Sequence, residues 1–224
     1  MTYIALDIDG TLFDSTEIVS LSFREGIQNW CAANLDHDVP VPEGEEIMRL
    51  VGMPAGYIFS TLFPDATVAQ QYQLLDYCTA ALCDAIREGK GHVFNGAVST
   101  LRTLHQAGYK LLVASNGQRD YIEAILETHG IAHLFSPWTT LEEITVETKA
   151  ELVSHYIATY GDENMFIMVG DRSSDLEAAM ENNIPFIGCA FGHASDEIAG
   201  YGHTVHHFPD IPLAIREIEK GNPG

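Results

Sequence analysis

The chain has 224 residues, 46% of them hydrophobic and 19% charged, enough for one sizeable domain or for a core carrying a smaller insert. Its 32 acidic residues against 11 basic ones leave a net charge of −21, which excludes nucleic acid as a partner because phosphate backbones are gripped by clustered Lys and Arg. No apolar run approaches the roughly 18 to 20 residues of a membrane helix, and MTYIALDID carries no leader-like segment, so a cytoplasmic location without membrane association is expected.

The first predicted element is a short β-type run, YIALDI, at residues 3–8. Residues 16–90 then read as helices only: Val19, Phe23, Ile27 and Trp30 share one face, and Leu74, Leu75, Cys78, Leu82, Ala85 and Ile86 another, with VGMPAG between. This segment is expected to form an all-helical cap domain inserted after the first strand. REGKGHVFNG, with three glycines in ten residues, reads as its return hinge.

Further β-type runs follow at 109–115 (YKLLVAS), 165–171 (MFIMVGD), 185–190 (PFIGCA) and 203–208 (HTVHHF). Helical periodicity fills the gaps: Val98, Leu101, Leu104 and His105 before the second run, Tyr121, Ile122, Ile125 and Leu126 after it, then Lys149, Leu152, Val153, Tyr156, Ile157 and Tyr160. Strands alternating with helices predict an α/β fold: a Rossmann-like three-layer core with a mainly parallel sheet, built from residues 1–15 and 91–224. The tail GNPG is expected to fray. Cys31, Cys78, Cys83 and Cys189 show no CxxC pairing and read as free thiols.

Ligands of such sheets sit at the carboxyl ends of the strands, where the unusual residues of this chain cluster. The first run ends in Asp7, Asp9, Gly10 and Thr11, the second in Ser115, Asn116 and Gly117, and the third in Asp171, with Asp175 four residues on; Lys149 opens a helix in ETKAELV. Asp7 and Asp9, one residue apart, repel each other unless a cation lies between them or one carries a proton as part of its work. A nucleophile, a second carboxylate, hydroxyl and amide donors, a fixed cation and further acids suit phosphoryl transfer. Mg²⁺ rests on carboxylate oxygens, water and substrate phosphate, so Asp7, Asp9 and Asp171 form a ligand set for it.

This ordered set resembles the haloacid dehalogenase superfamily. DIDGTL is similar to its first motif, VASN to its second, Lys149 to its third and GDRSSD to its acidic fourth, and the resemblance runs from residue 3 to about 216. GYKLLVASNG, KAELV, VGDRSSDLEAA and FGHASDEI look most like the phosphoglycolate phosphatase-like branch, which includes the β-phosphoglucomutases. The resemblance implies that Asp7 attacks phosphorus and forms an aspartyl-phosphate, while Asp9 serves as acid and then base. It also implies that the Asp9 backbone carbonyl joins Asp7 and Asp171 on Mg²⁺ with Asp175 in support. Ser115, the Asn116 amide, the Gly10 or Thr11 amides and Lys149 would hold the phosphoryl oxygens. Many relatives read KPxP where this chain reads KAEL, which bears only on local loop shape.

Bland readings accompany each of these. Asp7 and Asp9 suit a turn, Asp171 and Asp175 a helix cap, Ser115 a plain strand end and Lys149 a solvated helix start. The histidines show no HxH or HExxH spacing and read as structural, with His206 and His207 on opposite faces of a strand. Arg119 and Arg172 either touch substrate or pair with surface acids, and VGMPAGYIF is either a specificity loop or a plain connection. Arg24, Arg49, Arg87 and Lys90 are the cap's few cations; if phosphoglycolate is the substrate, some cap or core cation should meet its carboxylate. The expectation is a Mg²⁺-dependent phosphatase of small phosphate monoesters, working as monomer or homodimer, with a phosphomutase or an idle phosphometabolite binder as rivals.

Overall fold

Strand β1 (Thr2–Leu6) alternates its side chains between two packed layers. Ile4 and Leu6 enter one apolar cluster with Leu111, Val113, Ile167, Val169 and Ile187, while Ala5 packs with Met168 and Phe186 and Tyr3 with Leu112 and Phe166. Burial on both faces is what a covered parallel sheet demands. The computed structural model describes residues 1–35 and 38–221. Asp36 and His37 of the helical segment, and Asn222–Gly224 of the tail expected to fray, lie outside the described residues.

After β1 come β2 (Phe13–Asp14), four helices α1 (Val19–Ala33), α2 (Gly44–Leu50), α3 (Ala55–Leu62) and α4 (Val68–Arg87), and then β3 (His92–Val93). The remaining elements are α5 (Ala97–Gln106), β4 (Lys110–Val113), α6 (Arg119–Thr128), α7 (Leu141–Ile144), α8 (Lys149–Tyr160), β5 (Met165–Gly170), α9 (Ser173–Glu181), β6 (Phe186–Cys189), β7 (His203–Val205) and α10 (Ile211–Gly221). The main sheet has the order β4-β1-β5-β6-β7, and every neighbouring pair is parallel. Helices α5, α6 and α10 bury Leu101, Ile122, Ile125 and Ile215 against one face; α8 and α9 bury Val153, Ala178 and Ala179 against the other. The fold is Rossmann-like α/β with an inserted helical cap.

The four inserted helices have an apolar cluster of their own, around Val19, Phe23, Ile27, Trp30, Phe59, Leu74 and Cys78. Ile18, Cys83 and Ile86 pack instead into the large cluster beside the sheet, so the base of the insert shares the main core. The chain leaves and returns through a two-stranded antiparallel ribbon, Phe13 opposite Val93 and Asp14 opposite His92. Two-residue strands leave no periodicity, which is why the return segment reads only as a glycine-rich hinge.

Two local expectations are corrected. The run 203–208 stops being a strand at Val205, with His206 and His207 in a bend before a 3-10 turn at Phe208–Asp210. Pro209 lacks the N–H a continuing strand needs and suits the start of a helical turn. His105 lies on the solvent side of α5 while Leu101 and Leu104 are buried. Cys78, Cys83 and Cys189 are buried free thiols and Cys31 is half-buried.

Candidate active site

The strand order explains how distant motifs meet. β1 lies between β4 and β5, with Leu6 in register with both Val113 and Val169, and the ladder continues past the strand ends: Ala114 N–H donates to Leu6 O (2.9 Å) and Asp7 N–H to Val169 O (3.0 Å). Asp7 and Asp9, Ser115 and Asp171 therefore emerge at one edge of the sheet. Lys149 arrives from the start of α8, which Thr148 caps by accepting from the Glu151 N–H. All of these side chains are buried.

Lys149 bridges two carboxylates. Its Nζ lies 2.9 Å from Asp7 Oδ1 and pairs with Asp175 Oδ1. Burial opposes its charge, yet Asp175 and Asp7 overcome that and raise its pKa, so it stays an ammonium. Asp175 Oδ2 accepts from the Asp171 N–H (3.1 Å) and the Arg172 N–H (2.9 Å). Asp175 thus caps α9 and anchors Lys149 at once. Asp171 accepts from the Thr11 hydroxyl (3.1 Å) and the Ala194 N–H (3.1 Å).

Asp7, Asp171 and Asp175 offer carboxylate oxygens within 4.8 Å of one another. Burial lifts the Asp7 pKa well above the usual carboxylate range, with Asp175 and Asp171 adding to the lift and Lys149 opposing it. Burial and the Asp175 charge push Asp171 up to about 6. Were all three carboxylates ionised, the one ammonium would leave two negative charges, the complement of a divalent cation. Asp7 Oδ2 is buried without a hydrogen-bond partner, an acceptor that a hard cation would satisfy. The residues fit Mg²⁺.

The Asp9 side chain turns away from this group. Its Oδ1 accepts from Tyr121 Oη (2.7 Å) and Ser15 Oγ (3.0 Å). Burial raises the Asp9 pKa while these two donors hold it down. Tyr121, itself buried and facing Asp9, has a strongly raised pKa and remains the proton donor.

Gly10 has φ +76°, and a Cβ there would lie 2.3 Å from Asp171 Oδ2, so no other residue fits beneath that carboxylate. The Gly10 N–H donates to Phe13 O (3.0 Å) and the Thr11 N–H to Ile8 O (3.3 Å). These amides close the loop on itself, which corrects the expectation that they point at a ligand. Ser115 Oγ accepts from the Gly117 N–H (3.0 Å). The Asn116 side chain donates to Gly52 O of the cap (2.8 Å), and its buried Oδ1 has no partner.

Of its two readings, Arg172 takes the second, pairing with a surface acid, and adds a contact to the cap that was not foreseen. Its buried guanidinium pairs with Glu197 (3.0 Å) and donates to the backbone carbonyl of Arg49 in the cap (3.2 Å). With Asn116 to Gly52 and Thr79 Oγ1 to Gln118 Oε1 (2.7 Å), it ties cap to core. Arg119 is held by Glu123 and Glu143 and stacks 4.3 Å from the centre of the Trp138 ring. His193 lies 3.1 Å from Asp14 in the ribbon. Sequence patterns missed the roles of Tyr121 and His193; a tyrosine on an apolar stripe reads as core, and nothing in spacing distinguishes one that donates to a carboxylate.

The family model of the haloacid dehalogenase-like hydrolases matches residues 4–189. The chain belongs to that family. A phosphoglycolate phosphatase of Aliivibrio fischeri is 26% identical over 213 residues, 89% of this chain and 85% of that one. A pyrophosphatase, PpaX, of Bacillus pumilus is 26% identical over 215 residues, 94% of this chain and 90% of that one. The crystal structure of a predicted phosphatase from Clostridium acetobutylicum superposes with a TM-score of 0.75 at 24% identity, over 96% of this chain and 98% of that one. This haloacid dehalogenase-like hydrolase thus shares its whole fold with that protein. No helix among its described residues is long and apolar enough to cross a membrane.

Proposed function

We propose that the protein is a Mg²⁺-dependent phosphatase of small phosphate monoesters that works through an aspartyl-phosphate on Asp7, with residues 16–90 serving as the cap over a core formed by 1–15 and 91–224. The single observation that carries this reading is the Asp7–Lys149–Asp175 chain beside Asp171, with Asp9 held apart on its own donors. Lys149 favours the ionised form of Asp7 against its burial and holds Oδ1, which leaves Oδ2 as the unpartnered oxygen. Asp9, apart from the acidic group, is free to protonate the leaving oxygen and later to take a proton from the hydrolytic water. Ser115, the Asn116 amide and Lys149 are the donors for the phosphoryl oxygens. When bound to Asp7, Asp171 and the Asp9 carbonyl, with Asp175 behind, Mg²⁺ offsets the charge gathered on those oxygens.

The experiment is phosphate release from a panel of phosphate monoesters, with Mg²⁺ and with EDTA. Metal-dependent release from any of them supports the reading. Sugar 1-phosphate turning into sugar 6-phosphate only with a bisphosphate primer would replace it with a mutase.

Two further results are expected. Saturating Mg²⁺, at about 100 times its Kd, adds about 2.7 kcal/mol of stability and so raises the melting temperature by about 5–10 °C over the EDTA-treated protein; Asp171→Asn should abolish that rise. An unchanged melt would remove the metal from the site. Tyr121→Phe deletes the donor to Asp9 Oδ1 and should lower kcat about ten-fold, with KM changed less than two-fold, because a hydrogen bond to a charged group is worth about 1.5–3 kcal/mol. A Tyr121→Phe enzyme as fast as wild type would mean that Ser15 alone orients Asp9.

A further inference from the structure

Beside Asp9, between cap and core, lies a cavity of about 80 Å³, room for about five to eight water-sized groups where one needs about 10–15 Å³. Its walls are chiefly apolar, with Val19, Phe23, Met53, Phe59, Leu75 and Leu82 among them, and Asp9 is its one charged residue. Among the described residues, no Lys, Arg or His lines it. Arg24, Arg49, Arg87 and Lys90 are exposed, and Arg119 and Arg172 are committed to glutamates outside it.

Most of the polar side chains in its wall are already engaged. Ser15 and Tyr121 donate to Asp9, Thr79 donates to Gln118 and the Asn116 side-chain NH2 donates to Gly52. Two side-chain amide atoms are left over: Asn116 Oδ1, a buried acceptor without a partner, and the Nε2 of Gln118, whose Oε1 alone is engaged. An acceptor welcomes one hydroxyl or amide donor and repels an anion. The cavity shares Leu75, Asn116 and Gln118 with an outer groove whose charged residues are Glu142 and Glu147, and Thr79 and Gln118 with another where Asp76, Asp84, Asp120 and Glu142 outnumber Arg87 and Arg119.

Resting on the phosphatase reading, we infer that the substrates are phosphate monoesters of small, uncharged, mainly apolar alcohols carrying at most one further hydrogen-bond donor, and not esters whose leaving group bears a carboxylate or a second phosphate. A buried anion without a cation is strongly disfavoured, whereas an apolar group of the same size gains by leaving water. Phosphoglycolate and pyrophosphate are thereby placed among the poor substrates of this chain.

The test compares isobutyl phosphate with phosphoglycolate, whose leaving groups have equal numbers of heavy atoms, and with the neutral amide of phosphoglycolate, whose leaving oxygen sits on a similar carbon. With Mg²⁺ present, kcat/KM should be at least about ten-fold higher for isobutyl phosphate and for the amide than for phosphoglycolate. Met53→Lys, a half-buried cap position in the cavity wall, should narrow or reverse that ratio by raising phosphoglycolate turnover. Phosphoglycolate equal to or better than both neutral esters in the wild type overturns the inference and leaves the phosphatase reading standing. Thermal-shift titration of Asp7→Asn with the same esters reads the preference without turnover. Release from none of them, with isobutyl phosphate still binding at least ten-fold more tightly, would sink the phosphatase reading and uphold the pocket's preference; tighter binding of phosphoglycolate would overturn the latter.

Discussion

Asp7→Asn should lower phosphate release by more than about 10⁴-fold, the scale on which losing a nucleophile acts, while the protein melts within about 3 °C of wild type or above it. The amide has the shape of the carboxylate but a far weaker nucleophilic oxygen. Stability survives because Lys149 retains Asp175, and because the buried Asp7 carboxylate carries an ionisation that its surroundings resist. Phosphate release and a thermal melt on the same preparation check both halves, and near-normal activity in Asp7→Asn would end the aspartyl-phosphate mechanism. Asp9→Asn should behave differently. Attack by Asp7 is retained, slowed by the lost acid, but the water is no longer deprotonated, so with an ester of a good leaving group a phosphorylated enzyme should accumulate and show in intact-mass spectrometry.

Lys149→Met is expected to be the most damaging single change to the fold at this site. It leaves Asp7 and Asp175 buried with no cation between them, and breaking a buried pair from one side costs about 3–5 kcal/mol. In a chain of this size that lowers the melting temperature by about 6–20 °C, and activity is lost with it. Mg²⁺ should return part of the stability by supplying positive charge to the same carboxylates. A Lys149→Met protein melting within 2 °C of wild type without metal would show that the ammonium contributes no net stability there.

Much of this architecture is legible in the sequence because it rests on repeating patterns. The parallel sheet follows from apolar runs such as LLV and FIMV separated by helical stripes, and Asp7, Ser115 and Asp171 betray themselves by standing where those runs stop. Lys149 is legible from its place at a helix start after a capping threonine. What is not legible depends on contacts between segments far apart. Tyr121 meets Asp9 across 112 positions and Arg172 meets Arg49 across 123, and both occupy stretches whose local pattern has an ordinary explanation. The Gly10 and Thr11 amides are a subtler case, since DGT promises free donors but the turn back to Phe13 and Ile8 uses them.

The way the cap is fastened has a consequence for how such a protein diversifies. Asn116 and Arg172 grip the carbonyl oxygens of Gly52 and Arg49, groups that every amino acid carries, rather than any cap side chain. Gly52 itself is fixed, with φ +89° and Arg172 Nε only 2.9 Å from where a Cβ would stand. Its neighbours Val51 and Met53 face the cavity and take no part in those hydrogen bonds. Substitutions at 51 and 53 should therefore alter the cavity wall without loosening the cap, which would let a lineage vary the cavity by single mutations while the fastening is inherited unchanged.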